Sequence, residues 1–101
     1  MRTEQATIAL RWPGTDTLKQ ARAAIRSGAA VDIQLPLEVH YALYKHLKNI
    51  DVTGGPELLA PITSVAGLQE LRELEPVLRK ASYRVRLTTP VPRLRLTPPD
   101  S

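Results

Sequence analysis

Residues 5–12 alternate, with Ala6, Ile8, Leu10 and Trp12 on one side and Thr7, Ala9 and Arg11 on the other. A period of two predicts a half-buried strand. Pro13-Gly14 ends it with a turn. Thr15 or Asp16 is placed to cap a following helix by accepting from its free backbone N–H groups. That helix runs to about Ser27, where Gly28 supplies the residue best able to take a left-handed conformation. Leu18, Ala21 and Ile25 share its inward face, and Lys19, Arg22 and Arg26 form a basic stripe beside it.

Residues 29–35 alternate again, with Val31, Ile33 and Leu35 opposite Asp32 and Gln34. Strand, short helix and strand predict a crossover unit, with an antiparallel placement of the second strand as the alternative. Pro36 suits the first turn of a second helix. There Leu37, Val39, Tyr41, Leu43, Tyr44, Leu47 and Ile50 cover more than half the circumference, leaving Glu38, Lys45 and Asn49 as a polar strip. Such a helix is buried on several sides, either at the centre of the fold or across a subunit contact. Leu37, Tyr41 and Tyr44 are therefore the candidate partner interface.

Asp51-Val-Thr-Gly-Gly-Pro reads as a loop by composition. A short helical turn over 57–61 is expected next, then a longer helix capped by Ser64 and carrying Leu68, Leu71, Leu74 and Leu78. Pro76 should kink or break it, because proline lacks a backbone donor and crowds the preceding turn. From Ser82 the period returns to two. Tyr83, Val85 and Leu87 alternate with Arg84 and Arg86, and Leu94 and Leu96 alternate with Arg93 and Arg95. Each arginine pair must share one face of its strand. If the two runs pair through Thr89-Pro-Val-Pro, four guanidinium groups converge; otherwise the chain leaves the domain as a proline-stiffened arm.

The expected fold is α+β, a small single domain of approximate order β-α-β-α-α-β(-β) with a mixed or antiparallel sheet packed against helices. Residues 1–89 form the compact part, and 90–101 a Pro/Arg-rich C-terminal strand or extended arm. The 101 residues, 43% of them hydrophobic, suffice for one core and are too few for two.

Charge sharpens the picture. The formal net charge is +4. Residues 51–75 hold the acids Asp51, Glu57, Glu70, Glu73 and Glu75 against the single base Arg72. Residues 77–97 hold Arg79, Lys80, Arg84, Arg86, Arg93 and Arg95 and no acid. Cross-strand cations repel, and planar guanidinium bonds phosphate in bidentate fashion. The primary expectation is a non-catalytic module contacting nucleic-acid phosphates through Arg84, Arg86, Arg93 and Arg95, extended by Lys19, Arg22, Arg26 and Tyr83. Base stacking is disfavoured because only Tyr83 interleaves with the arginines. Two other readings compete: the arginine stems cover a sheet edge and deter aggregation, or the arginines pair with the acids of Asp51 to Glu75, in this chain or a neighbouring one. The corresponding functional alternative is an assembly subunit, possible as a homo-oligomer, using the apolar second helix.

Val31-Asp-Ile-Gln-Leu-Pro-Leu-Glu followed by a helix resembles the strand-to-helix opening of ribbon-helix-helix DNA-binding proteins. The resemblance covers residues 31–47 and implies that Asp32 and Gln34 stand where that family's polar strand residues read bases.

Cysteine is absent, which removes disulfides, thiolate catalysis and cysteine-ligated metals. No apolar run is long enough to span a bilayer, and the N-terminal stretch lacks the layout of a signal peptide. These features point to a cytoplasmic protein without membrane contact. His40 and His46 are six residues apart and project differently, so they do not chelate a metal as an i, i+4 pair does. His40 is expected to be a hydrogen-bonded structural residue. Neither a metal nor a cofactor is expected. The remaining catalytic reading is a metal-free ribonuclease-type toxin, with His40 or His46 as base and Arg84 or Arg86 on the phosphate.

Overall fold

The computed structural model describes residues 7–48, 51–89 and 91–99. Strand β1 (Thr7–Arg11) leads through helix α1 (Thr17–Ser27) to β2 (Ala30–Gln34), and the two strands pair in parallel. The crossover unit is therefore present. Helix α2 (Val39–Leu47) follows, then β3 (Asp51–Gly54) and a 3-10 turn at Pro56–Leu58 that runs into α3 (Leu59–Thr63). A second 3-10 segment (Gln69–Leu74) leads into α4 (Glu75–Lys80), and β4 (Arg84–Thr88) and β5 (Arg93–Thr97) complete the chain. The sheet is mixed and five-stranded, in the order β1-β2-β5-β4-β3, and every pairing except β1 with β2 is antiparallel. This is an α+β fold, as the patterning predicts.

One face of the sheet builds the core. Val31 and Ile33 of β2, Val85 and Leu87 of β4, and Leu94 and Leu96 of β5 are all buried against helical residues that include Ala21, Ile25, Leu43, Ile62, Leu71 and Leu78. Burial of each such aliphatic side chain contributes about 1.5–3 kcal/mol. The alternation that buries these residues sends their strand neighbours to the opposite face, which no helix among the described residues covers. Trp12 extends the second layer: its backbone N–H donates to the Gln34 carbonyl at 2.8 Å, and its indole N–H donates to the Gly67 carbonyl at 2.8 Å.

Local details depart from the sequence reading in several places. Asp16 occupies the N-cap position of α1 but makes no side-chain capping bond, since its φ/ψ of −118°/21° is not the extended geometry that capping needs. Thr17 instead donates its hydroxyl to the Arg11 carbonyl at 2.7 Å, tying the helix to the end of β1. Gly28 closes α1 at φ 83°, as expected. Residues 51–54, read as a loop, form an edge strand, because β4 offers a ladder on which Val52 turns toward the core. Ser64 ends α3 rather than starting a helix. Its supposed helix is a turn, a 3-10 segment and α4, and Pro76 sits in the first turn of α4, where its missing donor costs nothing. Leu68, Leu71, Leu74 and Leu78 are fully buried all the same. The N-terminal part of the first predicted strand (Gln5, Ala6) and Asn49, Ile50 and Pro90 lie outside the described residues.

Candidate nucleic-acid interface

The sheet face opposite the core is where the polar parity of all five strands accumulates. Register fixes its pattern. One row runs Arg11, Gln34, Arg93, Thr88, Asp51, and the next runs Ala9, Asp32, Arg95, Arg86, Thr53. Arg84 stands opposite Thr97 in a third row. The hairpin reading of the C-terminal region is thus realised, and the extended-arm alternative is not, because β5 lies in the middle of the sheet. Arg84, Arg86, Arg93 and Arg95 share one exposed surface, with Arg86 directly opposite Arg95. With neighbouring strands about 4.8 Å apart, the arginines from β1 to β4 span roughly 14 Å.

Among the described residues this face carries five arginines (Arg11, Arg84, Arg86, Arg93 and Arg95) and two carboxylates (Asp32 and Asp51), an excess of three positive charges. The carboxylates are engaged. Arg86 donates to Asp51 at 3.2 Å, and one oxygen of Asp32 lies 3.3 Å from Arg93 and 3.6 Å from Arg95. The Asp32 side chain is only 14% exposed, and its second oxygen is buried without a hydrogen-bond partner among the described residues. Arg11 and Arg84 form no salt bridge among the described residues, although Arg84 is near enough to Glu57 to act on its carboxylate. Arg86, Arg93 and Arg95, with Thr88, Thr89 and Val91, line a shallow depression of about 320 Å³ beside the hairpin loop. Each guanidinium has five N–H donors and each threonine a hydroxyl, so donors remain beyond those the two aspartates occupy.

Other candidate residues fall elsewhere. Lys19, Arg22 and Arg26 belong to α1, in the layer on the other side of the sheet, and Arg22 is committed to Glu73 at 3.3 Å. They do not extend the arginine face, because α1 must turn its apolar stripe to the same core that β4 and β5 cover. Tyr83 is 3% exposed and donates its hydroxyl to the Ala29 carbonyl at 2.7 Å. It is a core residue, and burial raises its phenol above the ordinary value. Leu37, Tyr41 and Tyr44 are exposed, so the centre-of-the-fold reading of α2 fails: that helix buries only Val39 and Leu43 fully. His40 is half-buried without a side-chain hydrogen bond among the described residues, contrary to expectation. No hydrogen bond joins either histidine to Arg84 or Arg86 among the described residues, and no metal-binding group of three is found there. His40 and His46 lie on α2, and Arg84 and Arg86 on β4.

The resemblance of residues 31–47 to the ribbon-helix-helix opening also meets an obstacle. β2 is an interior strand, and Asp32 is held by two arginines of its neighbour. No protein-family model, curated protein or solved structure matches the chain. No helix among the described residues is long and apolar enough to cross a membrane.

Sequence reasoning identified the four C-terminal arginines but missed Arg11, Asp32 and Asp51 as members of the same face. The parity of residues 5–12 already placed Arg11 opposite the apolar side. What the sequence withheld was strand order, which alone brings β1 and β3 to flank the hairpin and its neighbour.

Proposed function

We propose that the open sheet face binds the phosphate backbone of a nucleic acid, and that the protein is a non-catalytic binding module. The observation that carries this reading is the cross-strand opposition of Arg86 and Arg95, flanked by Arg84, Arg93 and Arg11, on a face with only two described carboxylates. Like charges placed directly opposite destabilise a sheet, and phosphate is the anion whose oxygens match guanidinium forks in pairs. The open face also carries no aromatic side chain among its described residues: Trp12 and Tyr83 are buried, and Tyr41 and Tyr44 belong to α2. Stacking on unpaired bases, the usual basis for single-strand binding, has no platform here. Backbone contact with a duplex, independent of sequence, is the mode the surface favours.

Fluorescence anisotropy with labelled DNA and RNA duplexes, titrated across a range of salt, tests the proposal. Wild-type protein should bind at low salt and weaken steeply as salt rises. The double variant Arg86→Gln/Arg95→Gln should flatten the dependence of log K on log salt by up to about 0.9 per lost contact. Absence of binding to any duplex at low salt ends the proposal.

A further inference from the structure

Val39 and Leu43 tie α2 to the core, but a second apolar stripe of the same segment belongs neither to the core nor to the arginine face. Of the five large hydrophobic side chains exposed among the described residues, three lie together here: Leu37 at 65%, Tyr41 at 71% and Tyr44 at 52%. Their i, i+4, i+7 spacing puts them on one stripe of the helix and its preceding turn. Exposed apolar stripes of this kind mark interaction surfaces.

The charges beside the stripe select the occupant. Glu38 and Lys45 are both exposed and lie three residues before and four residues after Tyr41. The Lys45 ammonium is held 5.6 Å from the Tyr41 ring centroid, which keeps it at the rim of the stripe. A second α2 laid antiparallel across the first, with a twofold axis near Tyr41, sets Leu37 against Tyr44 of the partner subunit and Tyr41 against its own counterpart. The same operation sets Glu38 against Lys45 of the partner subunit, twice. A twofold contact must be complementary to itself, and this surface is so in both apolar content and charge.

We infer that the chain associates with a second copy of itself through antiparallel α2 helices. Two side chains on a nine-residue helix and one on the turn before it fall short of the roughly 800 Å² per partner typical of stable complexes. The dimer is therefore weak and concentration-dependent, with a dissociation constant on the order of tens to hundreds of micromolar. The inference is independent of nucleic-acid binding and uses none of the residues proposed for it.

Sedimentation velocity of the whole chain, from about 10 µM to about 1 mM, reads the association directly. Glu38→Lys and Lys45→Glu should each weaken it roughly fivefold, since each turns two attractive pairs into repulsive ones. The double variant Glu38→Lys/Lys45→Glu should restore wild-type association, because the exchanged charges again meet their opposites. Tyr41→Ser, at a position too exposed to matter for folding, should abolish it. A wild-type chain that stays monomeric at the highest concentration overturns the inference. So does a double variant no better than the single ones, or association that persists in Tyr41→Ser and is lost in Arg86→Gln/Arg95→Gln.

Discussion

Replacing Asp32 with Asn separates two views of how the arginine face meets an anion. The aspartate lies 3.3 Å from Arg93 and 3.6 Å from Arg95, so in the free protein it neutralises part of the charge a phosphate would use. A phosphate bound on the outer side of Arg95 would stand about 7 Å from that carboxylate. At that distance unit charges repel by about 0.6 kcal/mol in a water-like dielectric and about twice that at half the dielectric constant. Asp32→Asn keeps the side-chain volume and removes the repulsion, so duplex affinity should rise about three- to eightfold at low salt. The gain should shrink as salt screens the face. The salt slope should steepen by up to about 0.9 for each arginine released to contact phosphate. Stability should change little. The lost ion pairs involve half-exposed arginines and contribute at most about 1 kcal/mol each. Against this, Asn no longer buries a charged oxygen that lacks a partner among the described residues. Anisotropy titrations at several salt concentrations, with thermal melts as a control, provide the measurement. Weaker binding by a variant that melts like wild type would refute the reasoning, since it would mean that Asp32 holds the arginines in their binding geometry.

Three further outcomes test the packing beneath the face. Tyr83→Phe removes the bond to the Ala29 carbonyl and should cost about 1 kcal/mol in urea unfolding at neutral pH. Because burial raises the Tyr83 pKa, its unfolded form ionises first. The stability it contributes is therefore fully present below about pH 10 and is lost as pH rises through the folded value, a dependence the Phe variant should lack. Trp12→Phe should lose about 1–3 kcal/mol, from the indole bond to Gly67 and from lost volume, as read by circular dichroism because no other tryptophan remains. Leu94→Ala, on a central strand with no exposed surface, should cost about 2–5 kcal/mol, and a variant within 1 kcal/mol of wild type would contradict the described core.

The sequence exposed those parts of the fold in which side-chain period does the work. β1, α1, β2, β4 and β5 each repeat an apolar position every two or every three to four residues, and each formed where that period predicts. β3 did not reveal itself, because a four-residue edge strand ending in Gly54 has one inward side chain, Val52, and no period to read. The segment from Ser64 to Lys80 departs from its pattern for the opposite reason. Its leucines recur at helical spacing, but Gly67 at φ 91° and Pro76 divide the backbone that carries them, so burial was legible and continuity was not. α2 was legible as an apolar helix. Which of its sides the core would leave open depended on where α3 packs, a long-range fact absent from local pattern.

Strand order also bears on two explanations of the arginines: phosphate binding, which is the primary expectation from the sequence, and protection of a sheet edge. Charged residues on an edge strand deter pairing with other chains, and had Arg93 and Arg95 stood on an edge, no ligand would be needed to account for them. They stand on β5, which is paired on both sides, and Arg84 and Arg86 stand on β4, which is also paired on both sides. The edges of this sheet are β1 and β3. Guarding against aggregation therefore explains Arg11 and Asp51 at most. On the interior strands the same outward positions could carry threonine, as positions 88 and 97 do, with better strand propensity and no repulsion. Two strands of arginine at the centre of an open face, only partly neutralised by Asp32 and Asp51, are a cost to the isolated fold. The anionic partner proposed for the β4–β5 hairpin would remove it.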